Sequence, residues 1–157
     1  MRGGAVDAAL FYLARMLEGG EDPKFIARRL VIFASEDVGL ADNSMLPLAV
    51  AAFQALERIG LPEGRIILSQ ATIALAQAPK DRRAYEAIGA AIISTHEHPS
   101  AQVPLHLRNA PTKLMKDQGY GKDYQWQPGF EHAKGFMPEE VRGETFLKSP
   151  RPPQPGK

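Results

Sequence analysis

Apolar residues recur at a helical period almost without a break up to about residue 95, and this spacing restricts the fold more than any other feature of the chain. From Ala5 to Glu18 the charged residues Asp7, Arg15 and Glu18 fall within roughly 80° of arc at about 100° per residue. The rest of the circumference is apolar, which predicts a mostly buried helix ending at Gly19-Gly20. Asp22 offers an N-cap with Pro23 at the first helical position, predicting a second helix to about Ser35 that the run Ser35-Glu36-Asp37-Val38-Gly39 terminates. A third helix is expected to reach Arg58. With Ser44 as its cap, Pro47 falls in the first turn, where a missing N–H costs little; Asp42 is the alternative cap. Its alanines 49, 51, 52 and 55 permit close approach of neighbours, and Gln54, Glu57 and Arg58 form its polar strip. Pro62-Glu63 open a fourth helix that Pro79 stops, and Asp81 caps a fifth running to about Thr95. No segment alternates as a half-buried strand must, so the expected fold class is all-α, a helical bundle.

Beyond residue 95 the pattern changes. His96 to Val103 reads as a polar loop, followed by a short helix from about Ala110 to Gln118 with Asn109 as its cap and Gly119 at its end. The chain then carries Tyr120, Tyr124, Trp126, Phe130, Phe136 and Phe146 among Gly and Pro without a helical period. This irregular, aromatic- and Pro-rich C-terminal extension is expected to pack over the bundle. Residues 149–157, rich in proline, are expected to form a disordered tail. The domain reading is therefore 1–4 as a linker or appended start, 5–148 as one helical domain, and 149–157 as tail.

Charge excludes a general electrostatic case for a polyanion: nineteen basic against eighteen acidic residues leave +1, so contact with DNA would need a local patch. There is no cysteine, which removes disulfides and thiolate metal sites and fits a reducing compartment. No apolar run reaches the eighteen or so residues of a membrane span, and no secretory leader is recognisable. The expectation is a soluble, cytoplasmic protein with no membrane partner.

Several clusters carry chemistry. His96-Glu97-His98 could offer metal ligands, yet side chains two apart converge only in an extended strand, so solvated histidines and no metal site are expected. Glu36 and Asp37 are adjacent carboxylates whose side chains diverge on a helix, which favours capping, ion-pair or interface roles over acid–base chemistry; no catalytic residue is assigned. Arg28 and Arg29 sit mid-helix among apolar residues, and at least one is expected to pair with Glu36, Asp37 or another carboxylate. Lys80, Arg82 and Arg83 crowd the start of the fifth helix, where cations oppose the dipole; anion contact and plain solvent exposure both explain them. The richest stretch runs from His106 to Lys116. With Asn109 as cap and Pro111 in the first turn, Lys113 and Lys116 lie three apart on one face and Leu114 and Met115 point to the core. Arg108, Lys113 and Lys116 then form a basic cap able to bind phosphates, or Arg108 and Asn109 tie the preceding loop down while the lysines are merely solvated.

That stretch, closed by Gly119-Tyr120-Gly121 and read with Ala27-Arg28-Arg29-Leu30-Val31-Ile32-Phe33-Ala34-Ser35-Glu36-Asp37-Val38-Gly39, resembles the C-terminal region of the RarA/MgsA replication-associated recombination ATPases, whose eukaryotic relatives are the Werner-helicase-interacting ATPases. Glu57-Arg58-Ile59-Gly60, Pro62-Glu63-Gly64-Arg65, Ala78-Pro79-Lys80 and Val103-Pro104-Leu105-His106 extend the resemblance over most of residues 5 to 124. It implies a clamp-loader-like collar that holds AAA+ ATPase modules together as a homotetramer. It also implies ATP and Mg in a module upstream, nucleoid association, and DNA and single-stranded-DNA-binding protein as partners. No P-loop of the form G-x-x-x-x-G-K-[ST] occurs here, since Gly119-Tyr120-Gly121-Lys122 has neither the spacing nor the hydroxyl residue. The chain accordingly reads as a detached, non-catalytic C-terminal portion with no cofactor of its own. Two roles stay open: an oligomerisation domain, or a DNA-binding module using Arg108, Lys113, Lys116, Lys80, Arg82 and Arg83 on DNA ends, gaps or forks.

Overall fold

The structure is a computed structural model that describes residues 1–125 and 127–150; Trp126 and the tail from residue 151 lie outside the described residues. It is all-helical: α1 (Val6–Glu18), α2 (Pro23–Phe33), α3 (Met45–Ile59), α4 (Gly64–Gln77), α5 (Arg83–Glu97) and α6 (Lys113–Asp117), with single 3₁₀ turns at Leu105–Leu107 and Glu139–Val141. Contacts gather the chain into two compact units within the span that the sequence suggests is one, Met1–Ile88 together with the segment beginning at Leu147, and Gly89–Phe146.

The first unit is a bundle of α1 to α4, closely paired as α2–α3, α3–α4, α1–α4 and α2–α4. Leu13, Ile26, Leu30, Val38, Leu56, Leu68 and Leu75 fill its core, and Ala27, Ala34, Ala49 and Ala71 let the backbones approach. Each large aliphatic side chain buried this way contributes about 1.5–3 kcal/mol. Gly64 sits where α4 crosses α3, and the Leu56 methyl occupies the place a Cβ would need. Asp22 caps α2 as expected, its carboxylate accepting from the Lys24 and Phe25 N–H groups at 2.9 and 3.2 Å, with Pro23 at the first position. Ser44 flanks α3 without accepting a capping bond. The Asp42 carboxylate instead holds Ser44 itself, accepting from its backbone N–H and its hydroxyl at 2.9 and 2.6 Å.

Three expectations are corrected here. α1 is not mostly buried: only Ala9 and Leu13 are, while Phe11 and Tyr12 are each 64% exposed, because α1 packs closely against α4 alone. α2 does not stop at Ser35 but continues as a π turn over Ala34–Val38, closed by the Gly39 N–H donating to the Ala34 carbonyl at 2.9 Å. The extra residue in that turn aims Glu36 and Asp37 to one side. Last, α6 is shorter than expected and its cap is Thr112, whose hydroxyl accepts from the Met115 N–H at 3.3 Å; Asn109 is exposed, ahead of Pro111. Thr112 is extended, with φ −113° and ψ 157°, so the helix cannot begin before Lys113. Leu114, expected inside, is 67% exposed.

The second unit holds its own aromatic cluster. Tyr124 meets Phe130 edge-on at 5.5 Å, Phe136 lies 6.3 Å from Phe130, and His132 stacks flat on His106 at 3.8 Å. His106 is buried, its Nε2 bonded to the Gly135 carbonyl at 2.8 Å.

Candidate functional site

The charged residues singled out in the first unit converge on the π turn. Arg2, in the segment read as linker, lays its guanidinium across both carboxylates: Nε to Asp37 Oδ1 at 2.6 Å and Nη2 to Glu36 Oε1 at 3.2 Å. Arg82 approaches the same pair from the start of α5, with Nη2 3.1 Å from Glu36 Oε1. Its Nε, buried, lies 3.9 Å from Asp37, too far for a hydrogen bond. Asp37 is itself buried, so its charge is held by these two arginines. Glu36 and Asp37 thus have the ion-pair role, but their partners are Arg2 and Arg82. Arg28 and Arg29 are exposed on α2, and Arg28 pairs with its own helix cap, Asp22, at 3.4 Å.

The neighbouring cations are also committed. Arg83 makes a forked contact with Asp81, Nη2 to Oδ2 at 2.6 Å and Nε to Oδ1 at 2.9 Å, and gives Nη1 to the Lys148 carbonyl at 3.1 Å. That fork, with the Arg83 N–H, holds the Asp81 carboxyl below its ordinary range. The Lys80 ammonium does not face the α5 N-terminus. It donates to the carbonyls of Leu75, Ala76 and Ala78 at the C-terminal end of α4, where the helix dipole favours a cation, and lies over the Phe33 ring at 5.6 Å. Burial lowers the pKa of its amine.

In the second unit Arg108 follows the 3₁₀ turn in extended conformation and bends back over it. Nε donates to the Val103 carbonyl at 2.6 Å, Nη2 to Gln102 Oε1 at 2.8 Å, and the guanidinium sits 5.7 Å from the Tyr120 ring. The Gly121 N–H donates to the Leu105 carbonyl at 3.0 Å, closing the clasp from the other side. Lys113 and Lys116 stand apart from this: both are exposed on α6 and have no ion pair among the described residues. A cleft of about 690 Å³ beside Arg108 mixes signs, with Lys122, Lys134 and Arg142 against Asp123, Glu139 and Glu140. His98 faces Glu144 at 3.6 Å, and His96 is exposed at the end of α5. Among the described residues no group of three or more His, Asp or Glu converges as a metal site would require.

Sequence reasoning missed Arg2, because nothing local names a partner 34 residues away. It also missed the His106–His132 stack, which no periodicity signals.

A family model described as "MgsA AAA+ ATPase C terminal" matches residues 3–153. Among curated proteins the chain is similar to Replication-associated recombination protein A of Escherichia coli strain K12, 48% identical over 141 residues, covering 90% of this chain and 31% of that protein. The same-named protein of Coxiella burnetii is 43% identical over 150 residues, covering 93% of this chain and 34% of the relative. ATPase WRNIP1 of Dictyostelium discoideum is 44% identical over 154 residues, or 94% of this chain and 17% of that protein. The matched region thus spans between 17% and 34% of the length of these relatives.

Proposed function

This chain belongs to the family of the MgsA AAA+ ATPase C-terminal region, and from that membership we propose that it is a non-catalytic oligomerisation domain. In this reading it assembles, as a homotetramer, the ATPase modules of a replication-associated recombination ATPase. ATP and Mg belong to a module outside the chain. Replication forks, with DNA and single-stranded-DNA-binding protein, are the setting, in the cytoplasm and at the nucleoid.

The observation that carries this reading is α5. It runs for 15 residues and appears in none of the close helix pairings, and Ser94 is its one buried residue. Tyr85, Ile88, Ile92 and Ile93 are each at least half exposed, at 53, 59, 50 and 59%. A helix of this length is marginal alone in water, and most helical stability comes from packing an apolar face. Phe11 and Tyr12 on α1 add a second uncovered apolar surface. Light scattering across a concentration series tests the reading: a mass above that of one chain, persisting in moderate salt, is expected for a core-like interface of more than about 2,000 Å². A strictly monomeric mass at micromolar concentration refutes it.

The second reading, DNA binding, is favoured by Lys113 and Lys116 alone. They are exposed on one helix with no ion pair among the described residues, whereas Arg108, Lys80, Arg82 and Arg83 already serve acceptors of their own chain.

A further inference from the structure

Arg82 Nε is a buried N–H with no acceptor among the described residues, and a group of that kind is rare enough in a folded chain to need a reason. Asp37 Oδ1 lies 3.9 Å from it, about 1 Å beyond a hydrogen bond, and Arg2 Nε stands 2.6 Å from that same oxygen. Glu36 Oε1 is shared in the same way, 3.2 Å from Arg2 Nη2 and 3.1 Å from Arg82 Nη2. Two guanidiniums therefore face one pair of carboxylate oxygens, and Arg2 has the nearer place on the buried one. Asp37 cannot do without a cation there, since a buried carboxylate left unpaired is strongly unfavourable.

The two arginines are not equally fixed. Arg82 is bound to the π turn through its neighbour, because the Asp81 N–H donates to the Asp37 carbonyl at 2.9 Å, and its guanidinium rests 4.8 Å from the Tyr85 ring. Arg2 has 67% of its side chain exposed and lies ahead of α1, so it can withdraw with the short run before Val6. We infer that Arg2 and Arg82 are alternative holders of Asp37: when Arg2 withdraws, Arg82 Nε closes the remaining distance onto Oδ1. The exchange keeps the buried charge paired in both states. In the second state it also satisfies the N–H that is orphaned in the first, which narrows the free-energy gap between the two, as a two-state element requires. Its consequence rests on the assembly reading. The matching family model is described as C terminal, so in that reading the ATPase module lies ahead of α1, and displacement of residues 1–5 by that module is relayed through Asp37 to the start of α5.

NMR of the arginine Nε–H groups, on the whole chain, tests the exchange. The signal lost in Arg82→Lys identifies Arg82. In Arg2→Gln that signal is expected to move downfield and its exchange with water to slow by about tenfold, as one added charge-assisted hydrogen bond allows, with the Tyr85 ring signals shifting alongside. An Arg82 signal unchanged in position and exchange overturns the inference. So does an Arg2→Gln chain that no longer folds, since Arg82 would then be unable to hold Asp37 alone. Arg2→Lys, which returns a cation to the Asp37 oxygen, should bring the Arg82 signal back towards that of the parent; a signal that stays with the Arg2→Gln position shows that the two residues do not compete, and overturns it as well. The mass of the chain by light scattering is independent of these readings. A failed exchange therefore leaves the assembly reading standing, and a monomeric mass leaves the exchange in place while removing the module it serves.

Discussion

Gly39 is the residue on which the first unit turns. It has φ 52° and ψ −124°, and the position of its missing Cβ is taken by the Asp81 carbonyl. The Asp81 N–H meanwhile donates to the Asp37 carbonyl at 2.9 Å, so this one contact ties the π turn to the start of α5. Gly39→Ala should therefore lower stability by about 2 kcal/mol or more, from backbone strain and a backbone clash together, read as a lower urea midpoint at unchanged m. An equal midpoint would contradict that account. Asp81 yields an acid-limb prediction. Its folded pKa is depressed, first by the Arg83 side-chain hydrogen bonds, so the stabilisation is present above the unfolded value near 4 and is lost as pH falls through the folded one. Asp81→Asn should then lie below the parent in stability at neutral pH and converge with it in acid; a gap that stays constant to low pH would remove the ion pair as its cause. At Arg108 the alternatives drawn from the sequence separate. It holds Val103 and Gln102, so Arg108→Ala should cost about 0.5–1.5 kcal/mol, while Lys113→Ala should stay within about 0.5 kcal/mol of the parent in thermal melts. The cap of α6 shows where local reasoning fails. Asn109 and Thr112 are both good caps by type, and Thr112 serves because it is the extended residue directly before Lys113.

The helices themselves are legible in the sequence, since a 3.6-residue apolar period over eleven or more residues has few other readings. Asp22-Pro23 marks the start of α2, and the stop of α4 at Ala78, just before Pro79, is equally plain. What the period cannot state is which apolar flank meets this chain and which meets something else, because core and interface use the same residue types. It does not foretell that α1 leaves Phe11 and Tyr12 exposed, or that α5, with as good a pattern as α4, is closely paired with no other helix among the described residues. The candidate site was half legible for the same reason: the residue types were named, but Glu36 and Asp37 could not be matched to Arg2 and Arg82 without the fold. For α6 the expectation is specific. If it is a DNA contact, Lys113→Ala with Lys116→Ala should shallow the salt dependence of binding by about two ionic contacts, at roughly 0.9 in slope for each on duplex DNA. Unaltered affinity and slope in the folded double variant would leave the assembly role alone.

At the scale of the molecule, the chain by itself should turn over no ATP, because it contains no P-loop to hold the phosphates. Phosphate release above a blank from a preparation free of contaminating ATPase would defeat that expectation. The arginine clamp on the π turn also bears on how the first unit comes to be formed. Arg2 reaches Glu36 across 34 positions and Arg82 reaches it across 46, so the clamp closes two long loops at once. Loop closure of that kind is unfavourable until the intervening helices have already collapsed and brought the ends together. The clamp should accordingly be absent from the folding transition state. Glu36→Gln is then expected to leave the refolding rate nearly unchanged and to quicken unfolding, a φ-value near zero, so that Arg2 and Arg82 act as a catch that slows the opening of a bundle they did nothing to build.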